Sequence, residues 1–285
     1  MAYQNQNLKT ANFFWGGRLT AYEVSNMFSF FEKGFSVNVW SYENLSLPQE
    51  FTLKNAELIL PYEELNKFKQ NFQKSNMSSF SNLFRYELLM KESGWWFDSD
   101  CICIKTAEEF ANLASNKPFV LGLENDTLVG SSVMYINEKK IVKFLLDEIN
   151  QRIRDNNYNF YWGEIGPYLI TDVFVKNNLF DKAINRNYFF SIEPENFYKL
   201  FDPKSKQYVE EQLINSFVCH SWNEMFRKFD ISKEKLPPKN SYLYNHIKQF
   251  LPNNNSSVYG SLFNIRFLPI IKYFYKTSSR IKTLI

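Results

Sequence analysis

Cysteine and histidine are scarce in this 285-residue chain, which has three cysteines and two histidines. An odd, sparse set of cysteines excludes a disulfide-stapled scaffold and is typical of a reducing compartment. No stretch approaches the roughly 18 uncharged apolar residues of a membrane-spanning helix. The first ten residues, MAYQNQNLKT, lack the basic region and apolar run of a secretory signal. We therefore expect a cytoplasmic protein.

A glycine-rich phosphate loop with a lysine is also missing, and the chain has only nine glycines. A metal-dependent nucleotidyltransferase is expected to carry such a loop, so the sequence disfavours that function without excluding it. The pair Cys101 and Cys103 has no second cysteine pair to complete a metal site. We interpret both as small core residues.

Acidic residues are absent after Glu234, although the whole chain has 30 of them. Eight of the 33 basic residues lie there: Lys235, Lys239, Lys248, Arg266, Lys272, Lys276, Arg280 and Lys282. This asymmetry predicts an anionic partner for the C-terminal segment alone. An aromatic, basic, acid-free segment suits the anionic inner face of the cytoplasmic membrane. Nucleic acid would suit the same composition, but we do not expect it as a partner.

The length and composition predict one large domain with an appendage. Hydrophobic residues make up 45% and aromatic residues 18% of the chain, which argues against disorder. The run Lys235-Leu236-Pro237-Pro238 is a linker signal. We therefore predict a catalytic domain over residues 1–234 and a segment over 235–285 that packs on it as helices or binds the membrane.

The N-terminal pattern predicts a strand, a helix and a second strand. Residues 11–15 and 35–40 are apolar enough for strands, and Thr20 with Glu23 forms a capping box that begins a helix. We expect Gly34 to end this helix. Apolar residues at helical spacing predict its buried stripe: Val24, Met27, Phe28 and Phe31. Such a βαβ unit builds a parallel sheet, which binds ligands at the carboxyl ends of its strands.

Later segments continue an α/β pattern. Residues 62–72 and 141–153 are predicted to be helices, and residues 118–123 and 130–136 to be strands that pair. Glu124 lies between these two strands. Further along, Pro167 is expected to begin a helix, with Glu164 just before it.

The rest of the chain is organised around residues 81–104, SNLFRYELLMKESGWWFDSDCICI. They predict a helix, a tight turn at Gly94 and a buried strand that carries Asp98 and Asp100. Side chains alternate along a strand, so both carboxylates are expected to point the same way. Carboxylates inside an apolar run are costly unless paired, and they are good ligands for a hard divalent cation. Such a cation would hold a diphosphate.

This stretch resembles the DXD sugar-binding glycosyltransferases, whose pattern reads S-D-x-x-R-Y-x-x-L-x-x-x-G-G-x-Y-x-D-x-D. That group includes initiating α-mannosyltransferases, bacterial capsule and lipopolysaccharide sugar transferases and, more distantly, the glucosyltransferase domains of large clostridial toxins. The chain departs from the pattern at Asn82, Ser93 and Trp96. Matching residues stand at the other positions: Ser81, Arg85, Tyr86, Leu89, Gly94, Asp98 and Asp100.

The resemblance implies a role for each of eleven residues. Asp98 and Asp100 would bind the ribose and Mn²⁺ or Mg²⁺, with His220 as a further ligand. The donor would also contact Arg85, Ser81, Asn82 and Trp96, the base would stack on Trp15, and the diphosphate would contact His220 and the indole N–H of Trp222. Glu164 and Glu124 are candidates for contacting the acceptor.

The resemblance further implies a GT-A-type, Rossmann-like domain with a mixed central sheet and a helical C-terminal extension. The predicted activity is metal-dependent, retaining transfer of a sugar, from a UDP-sugar by preference, to a cell-surface glycan such as capsule or lipopolysaccharide. Two further alternatives stay open: a nucleotide-sugar hydrolase, and a non-catalytic glycan-binding scaffold. Asn82 and Ser93 favour the scaffold, while Asp98, Asp100 and Arg85 argue against it.

Overall fold

The structure is a computed structural model that describes residues 8–70 and 76–259 of the chain. Eight strands are present within these ranges. They are β1 (Thr10–Phe14), β2 (Ser36–Ser41), β3 (Phe51–Asn55), β4 (Trp95–Phe97), β5 (Cys101–Cys103), β6 (Phe119–Asn125), β7 (Leu128–Ile136) and β8 (Val218–His220).

Nine α-helices of at least six residues connect or flank these strands in the described ranges. They are α1 (Ala21–Glu32), α2 (Tyr62–Gln70), α3 (Asn76–Lys91), α4 (Ala107–Ala114), α5 (Lys139–Asn156), α6 (Pro167–Lys176), α7 (Lys206–Leu213), α8 (Asn223–Lys228) and α9 (Tyr242–Phe250). Short 3₁₀ helices cover Ala56–Leu58, Phe180–Lys182, Arg186–Tyr188, Pro194–Leu200 and Pro203–Ser205.

Six strands form one mixed sheet in the order β3-β2-β1-β4-β7-β6. The first four are parallel, whereas β7 pairs antiparallel with both β4 and β6. Strands β5 and β8 form a separate antiparallel pair. The predicted α/β fold with a mixed central sheet is thus confirmed.

Alternation along the strands produces two cores, one on each face of the sheet. Phe13, Trp95 and Phe97 are buried in the cluster that also contains Met27 and Phe30 of α1. Phe14 and Trp96 point to the other face and are buried among residues of α3, α5 and α6. A sheet covered on both faces explains why its central strands read as continuous apolar runs.

Helix α1 begins and ends as predicted, but the predicted buried stripe is only partly correct. Thr20 and Glu23 form the capping box, and Gly34 follows the helix with φ +88°. Of the predicted stripe, Met27 is buried, Val24 and Phe28 are half-buried, and Phe31 is exposed. Other residues of the helix are buried instead: Tyr22, Glu23, Ser25, Asn26, Ser29 and Phe30. The small polar ones are buried because they hydrogen-bond to neighbouring backbone, as Ser29 Oγ does with the N–H of Cys103.

Asp98 and Asp100 lie in a turn, so the prediction that a strand carries them is wrong. Strand β4 ends at Phe97 and β5 begins at Cys101 in the other sheet. The chain leaves the central sheet here because the N–H of Cys101 donates to the carbonyl of Asp98, at 3.0 Å. Cys101 and Cys103 are both buried, as expected of core residues.

Residues 235–259 pack against the part of the chain that precedes them. Leu236, and Leu243 and Ile247 of α9, are buried in the same cluster as Phe13 of β1. The hydroxyl of Tyr22 donates to the carbonyl of Lys235 at 2.8 Å. The domain boundary at residue 234 stays a prediction, and residues 260–285 lie outside the described ranges. Within those ranges, no helix has the length and apolar character that crossing a bilayer requires.

Gly94 makes a tight turn against the backbone of β1, and we predict that Gly94→Ala destabilises the fold by roughly 2–4 kcal/mol. Its φ is +110°, and an added Cβ would lie 2.9 Å from the carbonyl oxygen of Thr10 in β1. Gly34→Ala is the matched control, because its φ of +88° is also positive but the nearest atom to an added Cβ is 3.9 Å away. Urea unfolding should show a clearly larger decrease in the free energy of unfolding for Gly94→Ala than for Gly34→Ala. Equal losses would contradict the steric explanation.

Candidate active site

A cavity of about 480 Å³ lies where β1 and β4 end, and it is lined by ten of the eleven predicted site residues. These are Trp15, Ser81, Asn82, Arg85, Trp96, Asp98, Asp100, Glu124, His220 and Trp222. Glu164 is not among the lining residues. A cavity outside the carboxyl ends of parallel strands is the expected ligand position in an open α/β sheet.

The turn from Asp98 to Asp100 is fixed by hydrogen bonds from three separate elements. The N–H of Asp98 donates to the carbonyl of Ser132 in β7, at 2.8 Å. The amide of Asn26 in α1 donates to the carbonyl of Ser99, at 3.0 Å. Ser221, after β8, donates to the carbonyl of Asp100 through both its N–H and its hydroxyl. The turn therefore has little freedom to move relative to the cavity.

Asp98 is held by a buried guanidinium. Arg85 Nη2 lies 3.0 Å from Asp98 Oδ1, and the indole N–H of Trp96 donates to the same oxygen at 2.8 Å. Arg85 also donates to the carbonyl of Ser131 and to Ser81, and its guanidinium lies 5.0 Å from the centre of the Trp96 ring. The Asp98 side chain is 27% exposed, and no described residue donates to its Oδ2. Asp98 thus presents one oxygen to the cavity.

Asp100 is more deeply buried and has different partners. Its Oδ1 lies 3.2 Å from His220 Nε2, and its Oδ2 accepts from the N–H of Asn223 at 2.8 Å. Burial acts to raise the pKa of Asp100, but His220, the Asn223 N–H and Lys233 outweigh it and lower the pKa. Burial acts to lower the pKa of His220, but the carboxylate of Asp100 outweighs it and raises the pKa. Asp100 is therefore ionised at neutral pH.

Two buried nitrogens of the cavity lack hydrogen-bond partners among the described residues: His220 Nδ1 and Trp15 Nε1. Buried polar atoms are almost always paired with protein or water, so each exception needs an explanation. Both belong to residues that line the cavity. A ligand in the cavity would account for them.

The residues around the turn fit a hard divalent cation. Asp100, Cys101 and His220 bring one potential ligand atom each within 4.8 Å of one another. Burial raises the pKa of Cys101, so its thiol stays protonated, and its sulfur lies 3.8 Å from the carbonyl of Ser132. That leaves carboxylate oxygen, a ligand type that suits Mn²⁺ or Mg²⁺, and imidazole nitrogen, which is more typical of transition-metal sites.

The two acceptor candidates differ in position. Glu124 lines the cavity, burial raises its pKa, and no described residue donates a hydrogen bond to its carboxylate. The carboxylate of Glu164 accepts from the N–H of Tyr161 and the amide of Asn156. Glu164 thus holds the loop that carries Trp162 and Gly163, which line the cavity.

Trp222 lines the cavity, but its indole N–H points elsewhere. It donates to the carbonyl of Ile192 at 2.8 Å, so in this structure it is not directed at a diphosphate as the resemblance implied. The residue has the left-handed φ of 63°. This conformation precedes α8 and places the N–H of Asn223 next to Asp100.

The sequence analysis missed several cavity residues, of which Lys233 is the most informative. Its ammonium forms an ion pair with the fully buried carboxylate of Glu23 and lies 5.8 Å from the centre of the Trp15 ring. Lys233 is only one of eleven Lys and Arg residues after residue 220, so composition gave no reason to select it. The backbone N–H of Asn223 left no sequence signal at all.

Residues 137–249 match the family model described as "Alpha 1,4-glycosyltransferase conserved region". The match includes His220, Trp222, Lys233 and all of α9 except Phe250, but neither Asp98 nor Asp100. It confirms the resemblance to sugar transferases that the DXD stretch suggested, from a different part of the chain. No curated protein matches in sequence.

Solved structures of three glycosyltransferases are similar to this chain. The PaToxG glycosyltransferase has a TM-score of 0.44 and 12% identity, covering 87% of this chain and 92% of its own. GlyE of Streptococcus pneumoniae TIGR4 has a TM-score of 0.43 and 11% identity, and the match covers 94% of this chain and 64% of GlyE. The bifunctional WbbM has a TM-score of 0.49 and 11% identity, and the match covers 86% of this chain and 50% of WbbM. All TM-scores are below 0.5, so no conclusion about substrate or mechanism follows from them.

We predict that Asp98→Asn destabilises the protein by about 3 kcal/mol, because it leaves the buried Arg85 without its anionic partner. In a double-mutant cycle with Arg85→Met, urea unfolding should give a coupling energy of at least about 1 kcal/mol. The exposed pair Lys206 and Glu210, one helical turn apart, is the control. Its cycle should give about 0.5 kcal/mol or less. Equal coupling in both cycles would contradict the structural role of Arg85.

Proposed function

We propose that this chain, a glycosyltransferase, transfers a sugar from a nucleotide-sugar to a hydroxyl group of a glycan in a metal-dependent reaction. One observation carries the proposal: Asp98 and Asp100 line one cavity together with Trp15, Asn82 and His220. The chemistry requires a site that binds a flat base, a diphosphate and a sugar side by side. The lining includes an aromatic ring, two carboxylates and cationic groups, and these residue types support the proposal.

The side chains that line the cavity suggest how a nucleotide-sugar donor would bind. A pyrimidine or a purine base can stack on the ring of Trp15. Asn82 would hydrogen-bond sugar hydroxyls, and an added Cβ at Gly166 would lie 2.9 Å from its Oδ1, so the cavity wall is close-packed there. Lys233, near Trp15, would contact the diphosphate. A UDP-sugar is the donor we propose.

A divalent cation, Mn²⁺ or Mg²⁺, would be held by Asp100 and His220, with Asp98 beside it. Bound there, it would supply positive charge that stabilises the departing diphosphate. The residues of this chain prepare that position: Arg85 and Trp96 hold Asp98 by one oxygen, and the N–H of Asn223 orients Asp100.

The acceptor side would use Glu124 and the rim of the cavity. Glu124 would accept a hydrogen bond from an acceptor hydroxyl, because its carboxylate has no described donor. Trp162 at the rim is 51% exposed, and its neighbours Tyr161 and Tyr168 are 62% and 40% exposed. Exposed aromatic patches mark binding sites, and flat rings suit the apolar face of a sugar. A capsule or lipopolysaccharide glycan is the acceptor we propose, and the resemblance implies retention at the anomeric carbon.

Membrane association of the C-terminal segment remains a prediction. Five of its eight basic residues lie within residues 260–285, outside the described ranges. The described part, residues 235–259, packs on the rest of the chain through α9. The charge asymmetry alone therefore supports this part of the proposal.

We predict that Asp100→Asn abolishes metal-dependent turnover of the donor, because it removes an ionised ligand. Asp126→Asn, in the exposed turn between β6 and β7, is the matched control and should keep wild-type turnover. The assay is release of UDP or GDP from a panel of nucleotide-sugars with and without Mn²⁺, accompanied by thermal-shift measurements. Binding of the true donor must raise the melting temperature of the wild type. Metal-dependent turnover by Asp100→Asn would refute the assignment.

We predict that Lys233→Gln weakens binding of UDP with Mn²⁺ about tenfold, equivalent to about 1.4 kcal/mol. The reason is loss of the ammonium group that lies beside Trp15, and Lys233→Arg should retain most of the affinity. Lys235→Gln is the control, since Lys235 does not line the cavity. Calorimetric titration with UDP and, in parallel, GDP measures the effect. Equal affinity of Lys233→Gln and wild type would remove Lys233 from the diphosphate site.

A further inference from the structure

A buried histidine of the C-terminal helix is connected to the acidic turn through one asparagine. His246 lies in α9, and its Nε2 is 3.1 Å from the side-chain Oδ1 of Asn26 in α1. The Nδ2 group of Asn26 donates to the carbonyl of Ser99, at 3.0 Å. Ser99 stands between Asp98 and Asp100. Both His246 and Asn26 are buried, and neither lines the cavity.

The chemistry of these groups fixes the direction of each hydrogen bond. The Ser99 carbonyl can only accept, so the amide nitrogen of Asn26 must face it. The side-chain oxygen of Asn26 then faces His246 and can only accept, so His246 Nε2 must carry a proton. Burial lowers the pKa of His246 to about 3, and the ring is therefore neutral at physiological pH. The neutral ring is the Nε2–H tautomer.

The carbonyl of Ser99 depends on the hydrogen bond from Asn26 more than its neighbours do. The carbonyl of Asp98 accepts from the N–H of Cys101, and that of Asp100 accepts from Ser221. Among the described residues, only Asn26 donates to the carbonyl of Ser99. If Asn26 could rotate, nothing else described would fix the middle of the turn, which sets the relative position of the two carboxylates.

We propose that His246 is a positioning residue for the divalent-cation site, acting through Asn26 and the carbonyl of Ser99. The inference rests on the proposed function for its consequence, because the turn is taken to hold a cation. It makes α9, which the sequence assigned to an appendage, part of the catalytic unit. Residues that orient metal ligands without touching the metal change metal affinity when they are replaced.

The hydrogen bond is tested first, without any activity measurement. The chain has two histidines, so the full-length protein labelled with ¹⁵N-histidine gives two imidazole spin systems, and His246→Gln assigns them. At pH 7, two-bond ¹H–¹⁵N spectra should show His246 with a protonated Nε2 and an unprotonated Nδ1. A protonated Nδ1 would overturn the proposed connection, whatever the protein catalyses.

The consequence is tested with two substitutions of His246. Leu has no donor, and His246→Leu should raise the Mn²⁺ concentration that half-saturates donor turnover about tenfold, with a smaller change in kcat at saturating Mn²⁺. Gln keeps an N–H that can reach Asn26, so His246→Gln should restore most of the Mn²⁺ affinity. Asn26→Leu should reproduce the effect of His246→Leu. The double variant should need no more Mn²⁺ for half-saturation than either single variant.

Leu243→Ala controls for the loss of packing between α9 and the domain. Leu243 is buried on the same helix, so this variant should lower the melting temperature at least as much as His246→Leu while the Mn²⁺ dependence stays that of the wild type. If His246→Leu keeps the wild-type Mn²⁺ dependence, the positioning role is overturned and the proposed function stands. If wild-type turnover needs no divalent cation, the proposed function fails, and the positioning of a cation site fails with it.

Discussion

The two carboxylates of one turn set the main constraint on this structure, because charged groups in a partly buried cavity must be compensated. Asp98 and Asp100 are only two residues apart, yet they have separate partners: a guanidinium for one, an imidazole and a backbone N–H for the other. Separate partners therefore compensate the two carboxylates although they lie close together. The cavity consequently concentrates negative charge at one wall, where a cation bound to a diphosphate would lie.

The mixed sheet supports this wall with backbone as well as side chains. Strand β7 runs antiparallel beside β4, so the carbonyls of Ser131 and Ser132 lie next to the end of β4. One accepts from Arg85 and the other from the N–H of Asp98. A strand parallel to β4 in this position would have required a crossover connection. The hairpin of β6 and β7 instead places the carbonyls of Ser131 and Ser132 next to the end of β4 directly. The one reversed strand of this six-stranded sheet, β7, thus supports the site.

Helix α1 shows how burial and polarity combine around the turn. Its apolar residues Met27 and Phe30 pack on the sheet, while Asn26 and Ser29 are just as buried and hydrogen-bond to the segment from Ser99 to Cys103. A buried polar group costs little when it is satisfied, and it then defines one geometry more strictly than apolar packing does. The helix therefore both covers the core and fixes the turn. A prediction based on apolar periodicity could recover only the first of these functions.

The sequence by itself determined the features that depend on neighbours along the chain. The capping box at Thr20, the turn at Gly94, the hairpin of β6 and β7, and the spacing from Ser81 to Asp100 are all local, and each left a pattern that could be interpreted. Only the tertiary structure decided that Asp98 and Asp100 lie in a turn between two sheets, that Asn223 and Lys233 lie near Asp100, and that His246 reaches the turn through Asn26. These partners come from segments more than 100 residues away, and a contact across that distance imposes no periodicity or spacing on either segment.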